Sequence, residues 1–320
     1  MMEETKLYKY DKRIIGKKAN ELGFIRDALE KVYRLADILK YLNSNPKLKE
    51  TLALKGGTSI NFTVFNLPRL SVDIDLDYLK TVSRDEMLEE RKLITGDIQK
   101  NMENEGYELS PKSKYHYSLD SFVFSYASSS GMRDNIKIEI NYSMRAHIFP
   151  AEERAIVSAD IPSDYKINSL AVIEIFGSKI NALLNRAAPR DLYDVSNMVF
   201  FKLFSETQYE MLKKCIVFYY AISCKELFVE FDIKKIDSIT SHKIKTDLKP
   251  VIRKKENFDL GAAKERVKTF ILKLLVLNEA EKQFLTFFTN KEYKPELLFA
   301  EQGILNRIKE HPMVIWKMQN

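Results

Sequence analysis

The alternation of apolar and polar residues predicts a mixed order of helices and strands in the first half of the chain. Apolar residues recur with the helical period in some stretches, while others are short apolar runs bounded by turn residues. We expect Thr58 or Ser59 to cap a short helix predicted over residues 59–65. The predicted helices cover residues 15–43, 59–65 and 84–105, and the predicted strands cover 51–55 and 70–79.

The period then changes to two, which predicts a sheet. Residues 116–127 and 136–142 alternate as strands do, and a polar Ser-Ser-Ser-Gly turn joins them. After residue 160 the pattern is mostly helical. We therefore predict a mixed α/β (α+β) fold in two domains: a mixed sheet flanked by helices and centred on strand 70–79 in residues 1–160, and a mainly helical domain in residues 161–320.

Composition and residue spacing argue against a cysteine or histidine metal centre, a secreted protein and a membrane-spanning protein. The chain has 320 residues, a formal charge of +6 and a pI near 8.9, which is a mild bias toward anionic partners. Its two cysteines lack metal-ligand spacing, and its four histidines are scattered without a metal cluster or a catalytic triad. Because no signal peptide or long apolar run is present, we expect a cytoplasmic protein with no membrane segment.

Three aspartates lie on one face of the predicted strand 70–79. Alternate residues of a strand share a face, so Asp73, Asp75 and Asp77 point the same way. Aspartate is depleted in strands, and three in a row concentrate negative charge that needs a cation or a wet surface. An acidic, solvated edge strand is the simpler alternative.

The residues upstream supply a second signal, a double glycine at a predicted helix start. Backbone N–H groups in such a turn hold phosphate, and Gly56, Gly57, Thr58 and Ser59 fit that role. Asp73 and Asp75 would lie about 7 Å apart along the strand, a span that Mg²⁺ ions can bridge together with substrate phosphates. Glu139 could add a third carboxylate, since it lies on the polar face of an otherwise apolar strand; an ordinary solvent-facing glutamate is the alternative.

The combined motif resembles the nucleotidyltransferase superfamily with the DNA polymerase β-like fold. Lys-Gly-Gly-Thr-Ser at 55–59, followed by Arg-Leu-Ser-Val-Asp-Ile-Asp-Leu at 69–76, is similar to the AbiEii/AbiGii toxin family of bacterial abortive-infection and toxin–antitoxin systems. A further match is Lys179 on a helix, followed by Arg-Asp-x-x-Asp ending at Asp194. The resemblance spans roughly residues 15 to 205, and Asp77 is an acid beyond the family pattern.

This resemblance implies an activity and a set of roles. A nucleoside monophosphate would pass from an NTP to an acceptor hydroxyl with Mg²⁺ (or Mn²⁺), releasing pyrophosphate in a cleft between the two domains. Asp73, Asp75 and Glu139 would bind metal, Lys179 would neutralise phosphate charge, and Asp194 would position the base, the ribose or Lys179. The acceptor would be RNA, with the 3′ end of tRNA as the leading candidate, and a separately encoded antitoxin would be the partner.

The helical stripe around Lys179 is consistent with these roles but leaves alternatives. Lys179 is the charged member of an apolar stripe, so it needs a partner or an opening to water; a lysine snorkelling at a domain seam is the other reading. Arg190 and Asp194 stand at i and i+4, where a plain surface ion pair is also possible. Arg190 and Asp191 are less clearly functional than Asp194.

One C-terminal segment is conspicuously basic. Residues 231–273 contain twelve Lys or Arg against six acids. A solvated face or a contact to a nucleic-acid backbone would both explain this charge. The candidate nucleic-acid contacts are Lys234, Lys235, Lys243 and Lys245.

Two other functions fit the same residues less well. A protein hydroxyl, a small molecule or an antibiotic could replace RNA as the acceptor. A non-catalytic nucleic-acid-binding protein on a transferase scaffold is the alternative from another class, and the intact Asp73 and Asp75 argue against it.

Overall fold

The computed structural model describes residues 10–161 and 164–320, and these form two compact units. The sheet unit comprises residues up to 145 together with 151–169 and 249–256. The helical unit comprises 146–150, 170–248 and 257–320. The chain therefore returns to the sheet unit for one short segment after most of the helical unit has been built.

The sheet unit begins with three helices and the first strand. They are α1 (Lys12–Leu22), α2 (Arg26–Ser44), α3 (Pro46–Thr51) and β1 (Leu52–Lys55). The single helix predicted over 15–43 is wrong, because Gly23 adopts a left-handed conformation with φ of 77° and caps α1 through its N–H. The apolar pattern continues across this break, so periodicity alone did not reveal it.

The following elements contain the diglycine turn and the acidic strand. They are α4 (Gly56–Ser59), which continues as a π-helical turn (Ile60–Val64), then β2 (Asp73–Tyr78) and α5 (Arg84–Asn104). Strand β2 and helix α5 match the prediction closely. The expected cap is wrong: the helix begins at Gly56, ahead of Thr58 and Ser59, and Lys55 is the N-cap residue.

The remaining strands complete the sheet. They are β3 (Glu108–Leu109), β4 (Lys114–His116), β5 (Leu119–Ala127), β6 (Arg133–Asn141), β7 (Glu152–Ala155) and β8 (Lys166–Ser169). The strand predicted over 116–127 is instead a hairpin, since β4 turns back on β5 and pairs His116 with Leu119. Strand β8 was missed, because residues after 160 were expected to be helical.

Strand order confirms the predicted mixed sheet and its central acidic strand. The path is β3-β5-β6-β2-β1-β8-β7, with β4 paired to β5. β2 is antiparallel to β1 and parallel to β6, so it is bordered on both sides. Ile74 and Leu76 are buried opposite Ile138 and Ile140 of β6, which places the apolar core on one face and the aspartates on the other.

The helical unit is built from amphipathic helices and short helical turns. Its α-helices are α6 (Val172–Arg186), α7 (Pro189–Phe200), α8 (Glu206–Ser223), α9 (Ser241–Lys243), α10 (Leu260–Leu274), α11 (Glu279–Thr289), α12 (Gln302–Ile308) and α13 (Pro312–Gln319). Its 3₁₀ turns are Lys234–Ser238 and Pro295–Leu297, and α9 continues as a π-helical turn over Ile244–Leu248. Helices α6 and α8 approach closely at Gly177, where an added Cβ would lie 2.6 Å from Cys215 Cβ.

Candidate active site

The diglycine turn is pressed against the acidic strand, and both of its residues must be glycine. Gly56 has φ of +68°, and a Cβ there would lie 2.7 Å from Asp75 Oδ2. A Cβ on Gly57 would lie 2.6 Å from the Arg69 guanidinium and 3.0 Å from Ser71 Oγ. The absence of side chains therefore lets the helix start lie directly over the carboxylate of β2.

The hydroxyls of Thr58 and Ser59 hold this turn in place. Both residues are fully buried. Thr58 donates to the Asp73 carbonyl, and Ser59 Oγ lies 2.6 Å from Ser169 Oγ on β8. These side chains therefore connect α4 to two strands of the sheet, and the groups of the turn suited to an anion are its backbone N–H groups. The first N–H groups of a helix have no carbonyl partner within it, and at the other end of this short helix the Ile60 N–H donates to the Gly56 and Gly57 carbonyls.

Strand register brings the predicted carboxylates onto adjacent strands. Asp75 of β2 is directly opposite Glu139 of β6, and Asp73 is opposite Lys137. Side chains at paired positions point to the same face of a sheet, so Asp73, Asp75 and Glu139 share one face. All three residues are half-buried.

Asp77 has a different environment from the other two aspartates. Its side chain is 4% exposed, and Lys55 Nζ of β1 lies 2.5 Å from its Oδ1. This ion pair neutralises Asp77 within the sheet. Its position fits the expectation that Asp77 supports the motif without belonging to it.

A lysine stands among the three half-buried carboxylates. Lys137 Nζ lies 2.8 Å from Glu139 Oε1. Partial burial lowers the pKa of Lys137, but the hydrogen bond to Glu139 and the charges of Glu139, Asp73 and Asp75 outweigh burial and raise it. Lys137 therefore places a positive charge on the acidic face.

The donor set on this face suits a hard divalent cation. Carboxylate oxygens are the ligands of Mg²⁺, which binds through one or two carboxylates and keeps water or substrate phosphates in its remaining positions. Asp73 and Asp75 provide such a pair. Among residues 10–161 and 164–320, no three His, Cys, Asp or Glu side chains are already gathered as a metal cluster. Glu139 is instead engaged by Lys137.

Arg69 is a buried structural residue at the entrance to the acidic strand. Its side chain is among the largest that are fully enclosed, and Nη1 donates to the Leu70 carbonyl at 2.9 Å. Its backbone forms a β-bridge with Ile252 of the returning segment 249–256. Its burial indicates a structural role.

In the helical unit, Lys179 lies in a buried cluster of ion pairs. Its Nζ is 3.0 Å from Asp191 Oδ1 and 2.9 Å from Asp194 Oδ2. The side chains of Lys179, Asp191 and Asp194 are 8%, 2% and 1% exposed. A snorkelling lysine and a surface ion pair at Asp194 are therefore both excluded.

Two arginines border this cluster. Arg186 Nε lies 2.7 Å from Asp191 Oδ2, and Arg190 Nε donates to the Asp247 carbonyl at 2.8 Å. Burial alone would raise the pKa of Asp191, but the charge of Lys179 and the pairing with Arg186 outweigh it, so the pKa is lowered. Asp191 is therefore an ionised link between Lys179 and Arg186.

The family model that matches this chain covers most of it, residues 37–289, and describes the nucleotidyltransferase AbiEii toxin of type IV toxin–antitoxin systems. The chain belongs to the AbiEii family. It is accordingly a nucleotidyltransferase, as the diglycine and Asp-x-Asp motifs predicted. No protein with a curated description matches the AbiEii chain in sequence.

A solved structure supports the fold of this AbiEii protein. MenT4, a nucleotidyltransferase toxin of Mycobacterium tuberculosis H37Rv, superposes with a TM-score of 0.62 over 95% of this chain and 98% of its own. Sequence identity is 16%, so this likeness shows the fold alone.

The four candidate nucleic-acid contacts of the AbiEii chain are exposed. Lys234 and Lys235 lie on a 3₁₀ turn of the helical unit, and Lys243 and Lys245 lie on α9 and the π-helical turn that follows. Their exposure is compatible with both a solvated face and an RNA contact. Within the described ranges, no helix is long and apolar enough to cross a bilayer.

Sequence reasoning gave too little weight to two residues of the AbiEii site. Lys137 shares the polar face of its strand with Glu139, two residues away, and this spacing is the signal that the sequence offers for their pairing. Asp191 was left uncertain, because its contact with Lys179 depends on how α6 and α7 meet.

Substitution of Gly56 should show how closely the turn approaches Asp75. Gly56→Ala would carry two costs, the strain of a side chain in a left-handed backbone and the close contact with Asp75. Gly106→Ala is the control, because Gly106 has φ of +81° but no neighbour within 4 Å, so only the backbone strain applies. We expect Gly106→Ala to lower the free energy of unfolding by about 1 kcal/mol, and Gly56→Ala by about 1–3 kcal/mol more. Urea denaturation measures both, and equal losses would contradict the close approach.

Removing Asp191 should destabilise the buried cluster in a pH-dependent way. Asp191→Asn should lower the free energy of unfolding at pH 7 by about 3 kcal/mol, because Lys179 would lose a buried counter-ion. The folded-state pKa of Asp191 lies below the unfolded value, so its contribution is complete above about pH 4 and is lost as pH falls through the folded pKa.

The control for this experiment is the exposed partner of Asp191. Arg186 is 66% exposed, so Arg186→Gln should cost less than about 1 kcal/mol. Urea denaturation between pH 7 and pH 3 should show the gap between wild type and Asp191→Asn closing in acid. A gap that is constant with pH would show that Asp191 is not ionised in the folded protein.

Proposed function

We propose that this enzyme transfers a nucleoside monophosphate from an NTP to an RNA hydroxyl, with the 3′ end of tRNA as the leading acceptor, in a reaction that depends on Mg²⁺ or Mn²⁺. The observation that carries the proposal is the direct contact between the diglycine turn and the acidic strand. An anion-binding helix start and a cation-binding carboxylate pair lie side by side there. A triphosphate with its metal needs both.

Asp73 and Asp75 are the proposed metal ligands, with Glu139 as a third acid on the neighbouring strand. They fit a divalent cation because they are half-buried carboxylates that share one face of the sheet, and Mg²⁺ would take water or phosphate oxygens as its remaining ligands. A cation bound there would neutralise charge on the phosphates and on the attacking and leaving oxygens. Glu139 also orients the acceptor hydroxyl in this proposal.

The turn binds the triphosphate through its backbone. The N–H groups of Gly57, Thr58 and Ser59 are the proposed donors, while the hydroxyls of Thr58 and Ser59 keep the turn against β2 and β8. A side chain at Gly56 or Gly57 would fill the space beside Asp75 and Arg69. The rigidity of this turn orients the α-phosphate without reorganisation during the reaction.

The transfer itself is a single displacement. The acceptor hydroxyl oxygen forms a bond to the α-phosphorus, the bond from that phosphorus to the bridging oxygen of pyrophosphate breaks, and the hydroxyl proton is released to water. Lys179 neutralises phosphate charge in this proposal, and Asp194 positions Lys179. The contact of 2.9 Å between Lys179 Nζ and Asp194 Oδ2 supports that positioning role.

Membership of a type IV toxin–antitoxin family implies two partners, an NTP substrate and a cognate antitoxin. We propose that RNA is the acceptor because four exposed lysines lie close together in sequence on the helical unit. Backbone phosphates would release counter-ions on contact with such lysines. Growth inhibition would follow from the modification of RNA, and the separately encoded antitoxin would counter it.

Neutralising the metal ligands should abolish transfer without unfolding the protein. Asp73→Asn and Asp75→Asn each remove a carboxylate charge while keeping its shape, so activity should fall at least about a hundredfold. Label from α-³²P-NTPs in total RNA measures the activity, and circular dichroism checks the fold. Glu89→Gln, at an exposed i,i+3 pair with Lys92, is the surface control and should retain full activity.

The label also identifies the acceptor. Incorporation of label into RNA supports the proposal. Incorporation into protein or small molecules would identify one of those as the acceptor in place of RNA. A folded, fully active Asp73→Asn/Asp75→Asn double variant would refute the metal assignment.

Neutralising the basic segment should weaken RNA binding in a salt-dependent way. The quadruple change of Lys234, Lys235, Lys243 and Lys245 to Gln should lower affinity for tRNA and reduce the slope of log K against log salt by about 3, since each lost phosphate contact removes about 0.7–0.9. Filter binding between 50 and 300 mM KCl measures the slope.

The matched control neutralises four exposed lysines elsewhere. Lys92, Lys112, Lys291 and Lys309 are suitable positions, and their change to Gln should leave the slope close to that of the wild type. An unchanged slope in the quadruple variant of the basic segment would show that this segment is a solvated face and does not contact RNA.

A further inference from the structure

The acidic face brings like charges together on neighbouring strands, and lysines pair with two of its acids. Asp75 and Glu139 are directly opposite each other on neighbouring strands, and like charges at such positions destabilise a sheet. Lys55 is paired with Asp77 on this face. Lys137 is the cation that stands opposite Asp73 and pairs with Glu139.

The position of Lys137 would allow its ion pair with Glu139 to break and re-form. Its side chain is 42% exposed, and that of Glu139 is 27% exposed, so the ion pair is not enclosed by packing. A lysine ammonium is a compact charge on a flexible four-carbon stem, which can leave one partner without moving the backbone. The charges of Asp73 and Asp75 act on the same ammonium.

We propose that Lys137 is a positioning residue that neutralises Glu139 in the metal-free enzyme and is displaced from it when a divalent cation binds. The proposal rests on the proposed function for the existence of the metal site. It adds a competition that the family motifs do not contain, because the lysine and the metal would both use the Glu139 carboxylate. Lys137 therefore lowers the affinity of the site for metal. It also stabilises the metal-free protein.

These two effects have opposite signs, which separates the proposal from a purely structural role. A lysine that only supported the sheet would, when removed, lower stability and weaken metal binding together. A competing lysine would, when removed, lower stability without metal and strengthen metal binding. Stability should then become insensitive to the substitution at saturating metal, because the cation replaces the lost charge.

The test compares Lys137→Met with Lys137→Arg in the full-length protein without NTP. Lys137→Met keeps the stem and removes the charge, and Lys137→Arg keeps the charge. Mn²⁺ affinity is measured by electron paramagnetic resonance titration, and thermal unfolding is followed in EDTA and at saturating Mn²⁺. Lys92→Met, at an exposed pair with Glu89, is the matched control.

The expected result has three parts. Lys137→Met binds Mn²⁺ about fivefold more tightly than wild type, since a positive charge beside a dication is removed. It unfolds at a lower temperature in EDTA, and this difference closes with Mn²⁺. Lys137→Arg and Lys92→Met stay close to wild type in both measurements.

A Lys137→Met variant with unchanged or weaker Mn²⁺ affinity would overturn the proposal even if the wild type binds metal and transfers nucleotide. A wild type that binds no Mn²⁺ would overturn the metal site and this role together. The double variant Lys137→Met/Glu139→Gln keeps the test open if Lys137→Met alone fails to fold. In the Glu139→Gln background the Lys137 substitution should cost little further stability in EDTA, and a full additional cost would refute the link to Glu139.

Discussion

Mutual repulsion among carboxylates on one face of a sheet is the constraint around which the sheet unit is organised. Asp73, Asp75, Asp77 and Glu139 lie on two adjacent strands, where the backbone leaves their spacing little freedom. Each neighbouring strand supplies a lysine: Lys55 pairs with Asp77, and Lys137 pairs with Glu139. The glycines bring helix-start N–H groups to the same place. Charges that would destabilise a purely structural sheet thus lie beside helix-start N–H groups, where we propose that a metal-bound polyphosphate binds.

In the helical unit the charges are reversed, because a buried cation is neutralised by two carboxylates. Lys179 is a cation on the apolar side of α6, and a buried ammonium without counter-ions would be costly. Asp191 and Asp194 come from the first two turns of α7, so the short connection between the helices brings both acids to the lysine. Because the three side chains restrain one another, the Lys179 ammonium has a defined position even before any substrate is present.

Much of the acidic face could be predicted because local periodicity determines it. The period of two in β2 and β6 placed Asp73, Asp75 and Glu139 on one face, and β2 is the central strand that was expected. Three features could not be read this way. The break at Gly23 lies inside an uninterrupted apolar pattern, the hydroxyl of Ser59 meets Ser169 from 110 residues away, and Lys179 finds its acids through an interhelical contact. Each depends on tertiary packing rather than on neighbours in sequence.

The short segment 249–256 has a consequence for how the protein is made. Val251 accepts a hydrogen bond from the Leu70 N–H, Ile252 bridges to Arg69, and the Lys254 N–H donates to the Gly23 carbonyl. The backbone leading into β2 is therefore completed by residues that leave the ribosome long after it. Nascent chains fold progressively from the N-terminus as synthesis proceeds. A growing chain that stops before residue 249 lacks these contacts, so the backbone leading into β2 gains its full set of hydrogen bonds only late in translation.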